Sequence, residues 1–347
     1  MTLPIKLGIL GAGGLGKSMA RMALARGGYH LVAMADSHGF CADLTGLDAE
    51  QIQTLKTVAD YPQVGQRVSQ DPVLAMLKAV GSDLDALFIA LPNLPVTFYA
   101  ETVTRIAQET PFSGIMVDAL KRTKAVQELL PLDGLLRSRR ILYITGAGAT
   151  PGFLTTMAAV AAQSFVRVKA VDIRFGVGVS NWESYRATIR EDFLHLPGFD
   201  AARVAAMSDA DIEAELEARN GLIELENMEH ADDIILAMAG VCPPEAITVG
   251  GVVDTRNARK PVSTQVTVTG ETLAGITCSH VFTVADDATM ADNVCGPAVG
   301  FMNRAVDLHA RGFYGLSTSA ELMPKTGPSL WVQNATQKLS APAMAMV

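Results

Sequence analysis

In "IKLGILGAGGLGKSMARMAL", residues 5–24, an apolar run of strand character meets a glycine-rich turn and then a helical pattern. Gly11, Gly13 and Gly16 stand as G-x-G-x-x-G across that junction. Gly11 permits the tight turn, Gly13 lets a pyrophosphate approach the backbone, and Gly16 lets helix and strand pack closely. The second strand pattern, "HLVAMAD", ends at Asp36, twenty residues after Gly16, where a carboxylate can accept hydrogen bonds from ribose hydroxyls. An Asp there repels a 2′-phosphate, and Ser37 and His38 supply no Arg. NAD is therefore the expected cofactor, with NADP the alternative. Gly11, Ala12, Gly13, Gly14, Leu15, Gly16, Asp36 and Ser37 form its expected cradle.

Outward from this turn, "LDALFIALP", "GIMVDAL" and "ILYIT" repeat the alternation of short β-branched runs with helical spacing over the first 150 residues. That pattern is the sequence form of a doubly wound parallel sheet, a Rossmann fold of the α/β class. Residues past the carboxyl ends of such strands line the ligand crevice, which places Leu91, Pro92 and Asn93 of "ALPNLP" beside the cofactor, unless the prolines are only turn punctuation. From about Val168 the texture changes. "VKAVDIRFGVGVS" reads as one long strand, Asp209 to Met238 as acidic helical material, and residues 263–287 as an antiparallel hairpin turning near Gly270 and Glu271. The expected organisation is a nucleotide domain over 1–150, rejoined by about 296–324, and an α+β domain with a mostly antiparallel sheet over 151–295. A helix from Pro297 to His309 returns to the first domain, and 325–347 form a tail, frayed or reaching to a neighbouring subunit.

A second glycine turn, "TGAGATPGF" from Thr145 to Phe153, follows the last strand of the first half and precedes another helix. Thr150 suits an N-cap and Pro151 the first helical position. The helix end then faces either a substrate carboxylate or oxyanion, with Thr150, Pro151 and Gly152 as contacts and Gly148 near the cofactor, or nothing but a domain connection. Just upstream, Asp118 ends a strand and Lys121 follows by three. Asp118 can orient a substrate, and Lys121 can act as acid or base if burial depresses its pKa. Lys121, Arg122 and Lys124 together also fit a solvated helix start.

Composition narrows the partners. The 347 residues carry a net charge of -8, with 49% hydrophobic and 18% charged residues. That supports a sizeable core and argues against nucleic acid or an anionic membrane. Cys41, Cys242, Cys278 and Cys295 are far apart, with no His at zinc-ligand spacing, so neither metal nor disulfide framework is expected. The start lacks a cleavage site, and Gln163 and Arg167 interrupt the Ala-rich stretch before it reaches bilayer length. A cytoplasmic protein binding a small molecule is the expectation, as a homodimer or higher homo-oligomer through the Val/Thr-rich strands.

The glycine fingerprint, the Gly146, Gly148, Pro151 and Gly152 loop, and "VADDATMADNVCGPAVGFMNRAVDLHARGFYG" together resemble the saccharopine dehydrogenase-like group, and more distantly meso-diaminopimelate and carboxynorspermidine dehydrogenases. The resemblance implies an oxidoreductase that transfers hydride at an amine/imine centre of an amino-acid-like substrate, with Asp118, Thr150, Pro151 and Gly152 bordering substrate and nicotinamide. Members acting on amino acids often carry an Asp where this chain has Thr150, which departs from ammonium recognition. A substrate carboxylate calls for Arg, and Arg186 and Arg190 of "SNWESYRATIRED", or Arg174, can clamp one. His195, His230, His280 and His309 show no partner pattern. Two alternatives stand beside this expectation: a non-catalytic nucleotide-binding sensor or complex subunit, and a homoserine-dehydrogenase-like enzyme.

Overall fold

The apolar runs of the first half become a sheet covered on both faces, as runs without polar alternation require. In the computed structural model, which describes residues 4–92, 95–179, 182–285 and 288–327, its strands are β1 (Ile5–Leu10), β2 (Tyr29–Ala35), β3 (Gly39–Ala42), β4 (Gly65–Arg67), β5 (Ala86–Ile89), β6 (Ile115–Asp118) and β7 (Leu142–Thr145). The second sheet follows with β8 (Arg167–Gly178), β9 (Leu222–Leu225), β10 (Ile247–Asp254), β11 (Thr264–Glu271) and β12 (Thr277–Val284), and the chain ends its described course through β13 (Gly315–Thr318).

The first sheet has the order β13-β7-β6-β5-β1-β2-β3-β4. All pairs from β13 to β2 are parallel, and β3 and β4 extend the edge antiparallel. Successive residues face opposite cores. In β5, Leu87 and Ile89 join Leu74, Val103 and Val126 on one side, while Ala86 and Phe88 join Met19, Phe301 and Met302 on the other. This is an α/β protein with a parallel-dominated sheet and a second, mixed sheet, ordered β12-β11-β8-β10-β9 with only β8 and β10 parallel. Helix Phe153–Ala162 covers the second sheet, placing Leu154 and Ala158 against Val171, Ile173, Val266 and Val268.

Several local expectations change. The β11–β12 connection lies at Thr272–Ile276, because Gly270 and Glu271 still pair with Cys278 and Thr277 and the left-handed position is Gly275. The acidic stretch is interrupted by β9, between helices Asp209–Ala218 and Asp232–Met238. The return helix runs Met290–His309 with Pro297 inside it, since Thr289 and Asp292 form a capping box two turns earlier. It packs beside helix Gly14–Arg26 and buries Ala298, Phe301 and Met302. Lys325 is pinned to that helix through Gly300 O and Asp307, while tail residues 328–347 lie outside the described part.

Candidate active site

The chain passes from β1 to β2 on one side and returns to β5 on the other, so a crevice opens where the carboxyl ends of β1 and β5 diverge. It deepens into a cleft of about 1140 Å³ between the two sheets. Gly11, Ala12, Gly13, Gly14 and Leu15 line one end, with Leu91 and Pro92, while Asn93 falls outside the described residues. The three fingerprint glycines differ in purpose. A Cβ on Gly11 would come within 2.3 Å of Ala90 O, and one on Gly16 within 1.9 Å of Gly11 O, so both are fixed by backbone packing. Gly16 does not reach the cleft. At Gly13 a Cβ meets nothing within 4 Å, and the helix that starts here has no side-chain cap, leaving its first N–H groups for an anion.

Asp36 does something other than expected. It borders the cleft, but its Oδ1 accepts from His38 N (2.8 Å), Gly39 N (3.2 Å) and Thr57 Oγ1 (3.1 Å), and its Oδ2 from Val58 N (2.8 Å). The carboxylate is occupied in tying β2 to the Thr57–Asp60 turn. Ser37 also lines the cleft, with its hydroxyl 3.1 Å from His38 Nδ1.

Asp118 is fully buried and outside the cleft lining, which corrects its expected catalytic place. It accepts from Leu120 N (2.9 Å), Gly146 N (2.8 Å), Thr145 Oγ1 (3.2 Å) and Tyr143 Oη (2.5 Å). Burial raises its pKa although all four donors oppose the rise. It is the clasp holding β6 to the second glycine turn. Asp118→Ala strands several buried donors and is expected to cost about 3 kcal/mol or more of unfolding free energy, measured by urea denaturation.

Lys121 lies in the cleft wall, its side chain 20% exposed. Its Nζ donates to Asp192 Oδ1 at 2.8 Å and lies 3.7 Å from Glu191 Oε2, while Arg122 Nε is 3.4 Å from Glu191 Oε1. Two cations thus face two nearly buried carboxylates. Burial pushes the Lys121 ammonium toward its neutral form, but Asp192 and Glu191 outweigh it and its pKa is raised, against the expected depression. Burial likewise raises Asp192, with Lys121 opposing. Lys121 and Arg122 thus form a largely buried ion-pair cluster, while Lys124 is exposed in the first turn of helix Thr123–Leu129, as a helix start predicts.

The second glycine turn reaches the cleft through Gly148, Thr150 and Pro151. Gly152 does not. It folds back so tightly that a Cβ would sit 1.8 Å from Gly148 O, and it occupies the N-cap position that sequence assigned to Thr150. The Thr150 hydroxyl instead donates to Asp232 Oδ2 (2.5 Å), and Thr155 Oγ1 reaches Asp232 Oδ1 while accepting from Gly152 N. A buried carboxylate is therefore present at this loop after all, supplied by a different segment. Asp232 also meets His230 Nδ1 at 2.7 Å, and His230 lines the cleft. Sequence inspection missed this pair because it weighed each histidine singly, although the H-x-D spacing of "EHADD" was visible.

Of the three arginines expected as a carboxylate clamp, Arg186 lines the cleft; it pairs with Asp209 at 2.9 Å beside the Trp182 ring. Arg190 is spent on Val204 O, Met207 O and Asp209, and Arg174 pairs with Asp172 on the exposed face of β8. Among the described residues no helix is long and apolar enough to cross a membrane.

No family model matches this sequence. The (S)-8-amino-7-oxononanoate synthase BioU of Haloferax mediterranei is 38% identical over 349 residues, spanning 92% of this chain and 99% of the relative. The chain belongs to the BioU family. That family membership makes it an enzyme, and it corrects the saccharopine dehydrogenase-like assignment. The relative is named for a synthase and not for a dehydrogenase, so amine/imine hydride transfer and NAD, or NADP, as cofactor are withdrawn, together with the homoserine-dehydrogenase-like and non-catalytic alternatives. Solved structures similar to the chain are the C. glutamicum DAP dehydrogenase in complex with DAP (TM-score 0.59, 15% identity, 97% of this chain and 99% of that one) and an engineered D-amino acid dehydrogenase bound to NADP+ (TM-score 0.57, 15% identity, 96% and 99%). At such identity they share the fold alone.

Proposed function

We propose that this enzyme handles the compound its Haloferax relative is named for, (S)-8-amino-7-oxononanoate, in the cleft between the two sheets, with Lys121 as the amine that engages the C7 ketone. The observation carrying this is the position of Lys121, a primary amine in the cleft wall with a carboxylate 2.8 Å away to take its proton. Amines of this kind form Schiff bases with carbonyl compounds. Leu91, Pro92 and Phe98 in the lining suit the methylene chain, and Arg186, also in the lining, suits the carboxylate. A cytoplasmic setting belongs to the same proposal, supported by four unpaired cysteines.

The test is to incubate the purified protein with 8-amino-7-oxononanoate and cyanoborohydride and to measure intact mass. A reduced covalent adduct mapping to Lys121 is the expected result. No adduct at saturating ligand, or one on another lysine, overturns the assignment. Removing the Arg186 charge in Arg186→Ala loses about 1.5–3 kcal/mol of carboxylate binding, seen as a roughly 10- to 100-fold weaker half-saturation, with the limiting adduct rate nearly unchanged.

A further inference from the structure

Asp192 stands in the last turn of helix Arg186–Phe193, in the cleft wall beside Lys121, and is 3% exposed. Each oxygen of its carboxylate carries lone pairs for donors of its own. Oδ1 is taken by Lys121 Nζ at 2.8 Å, whereas Oδ2 accepts no hydrogen bond from the described residues. Nor is Oδ2 sealed in. Among the described residues, the fully buried side-chain nitrogens and oxygens that lack a partner are Arg122 Nη1 and Ser319 Oγ, so Oδ2 keeps a surface toward the cleft its side chain lines. Nearby carboxylates are engaged. Glu191 lies 3.7 Å from Lys121 Nζ and 3.4 Å from Arg122 Nε, and both oxygens of Asp36 and of Asp71 in the lining hold donors. The C-terminal end of the helix adds a negative partial charge at Asp192, which favours a cation there.

We propose that Asp192 Oδ2 receives the C8 ammonium of the amino ketone, and that this contact selects an α-amino ketone over a plain ketone. It deepens the function proposed above and rests on it. The C8 carbon adjoins the ketone carbon, so with Nζ drawn up to C7 the two nitrogens stand on neighbouring carbons. One carboxylate spans such a pair, Oδ1 toward Nζ and Oδ2 toward the ammonium, as it spans the two N–H groups of an arginine fork. When Lys121 reacts as a neutral amine, its charge no longer balances the two carboxylates. The substrate ammonium then supplies the missing counter-charge. Its approach also opposes the charge on Lys121, so the compound favours the neutral form of the amine that attacks it. A ketone without the amine does neither.

The test is calorimetric titration, slightly below neutral pH, with 8-amino-7-oxononanoate and with 7-oxononanoate, which lacks only the amine. The unaltered protein is expected to bind the amino ketone about 10- to 100-fold more tightly. Asp192→Asn is expected to bind the two within about twofold of each other. A purely structural carboxylate would weaken both ligands alike and leave their ratio in place. Should the substitution harm folding, 8-hydroxy-7-oxononanoate replaces it as the probe. This ligand has nearly the same shape without the charge, and the unaltered protein is expected to bind it at least about tenfold more weakly than the amino ketone. Equal affinity for the amino ketone and 7-oxononanoate overturns the proposal, as does a ratio that persists in Asp192→Asn or a hydroxy ketone bound as tightly as the amino ketone. If neither the amino ketone nor 7-oxononanoate binds the unaltered protein, the substrate reading falls and this contact with it. If both bind while cyanoborohydride traps no adduct on Lys121, the amine assignment fails by itself, and the affinity ratio still decides the role of Asp192.

Discussion

Lys121→Arg is expected to abolish the cyanoborohydride-trapped adduct, a fall of more than about 1000-fold, while the folded protein and its ligand affinity survive. The substitution keeps a cation opposite Asp192 and Glu191, so no buried carboxylate loses its counter-charge. Only the nucleophilic amine disappears. Retention of the adduct in Lys121→Arg would remove Lys121 from the chemistry outright. The raised Lys121 pKa adds a pH dependence with a defined sign. Attack needs the neutral amine, and the two carboxylates stabilise the ammonium, so the trapping rate rises with pH and levels off only above the range of an ordinary lysine. Asp192→Asn removes the nearer of the two carboxylates. The rise then shifts to lower pH, and a profile that stays in place would show that another group titrates.

Gly152→Ala is expected to be the most damaging single methyl group in the chain. The backbone there has φ +139, a region closed to side chains, and the added Cβ would lie 1.8 Å from Gly148 O and 2.4 Å from Gly148 C. Neither is a flexible side chain that can turn away. The strained loop carries Thr150 and, through Thr155, the Asp232 contact, so relief of the clash would also open the cleft wall. A loss of about 4 kcal/mol or more, or failure to accumulate as soluble protein, is the expected outcome by urea denaturation and expression yield. Gly13→Ala is the matched control, because its Cβ meets open space. It should fold within about 1 kcal/mol of the unaltered protein. Equal stability of the two variants would show that the second glycine turn is not built as described.

The legible parts of the site are those where chemistry is local. Gly11 to Leu15, Leu91, Pro92, Lys121, Thr150 and Pro151 border the cleft because each stands at the carboxyl end of a strand, and strand ends are marked in sequence by where an apolar run stops. Asp118 satisfies that rule too, yet it turns inward. Position at a strand end does not fix side-chain direction, and four donors around an enclosed carboxylate decide it. Arg190 fails as a clamp for a related reason: two loop carbonyls and Asp209 consume its guanidinium, and those partners lie 14 to 19 residues away.

The sequence by itself determined the α/β architecture. Continuous apolar runs need cover on both faces, and a glycine turn between strand and helix admits no other close packing. Family membership also follows from sequence, through identity over nearly the whole of a relative. What only the tertiary structure decided is the electrostatic character of the cleft. Lys121 owes the raising of its pKa to Asp192, 71 residues away, and to Glu191, and Thr150 owes its carboxylate partner to Asp232, 82 residues away. The Coulomb energy of such pairs depends on distance and burial through space, neither of which a strand or helix pattern encodes.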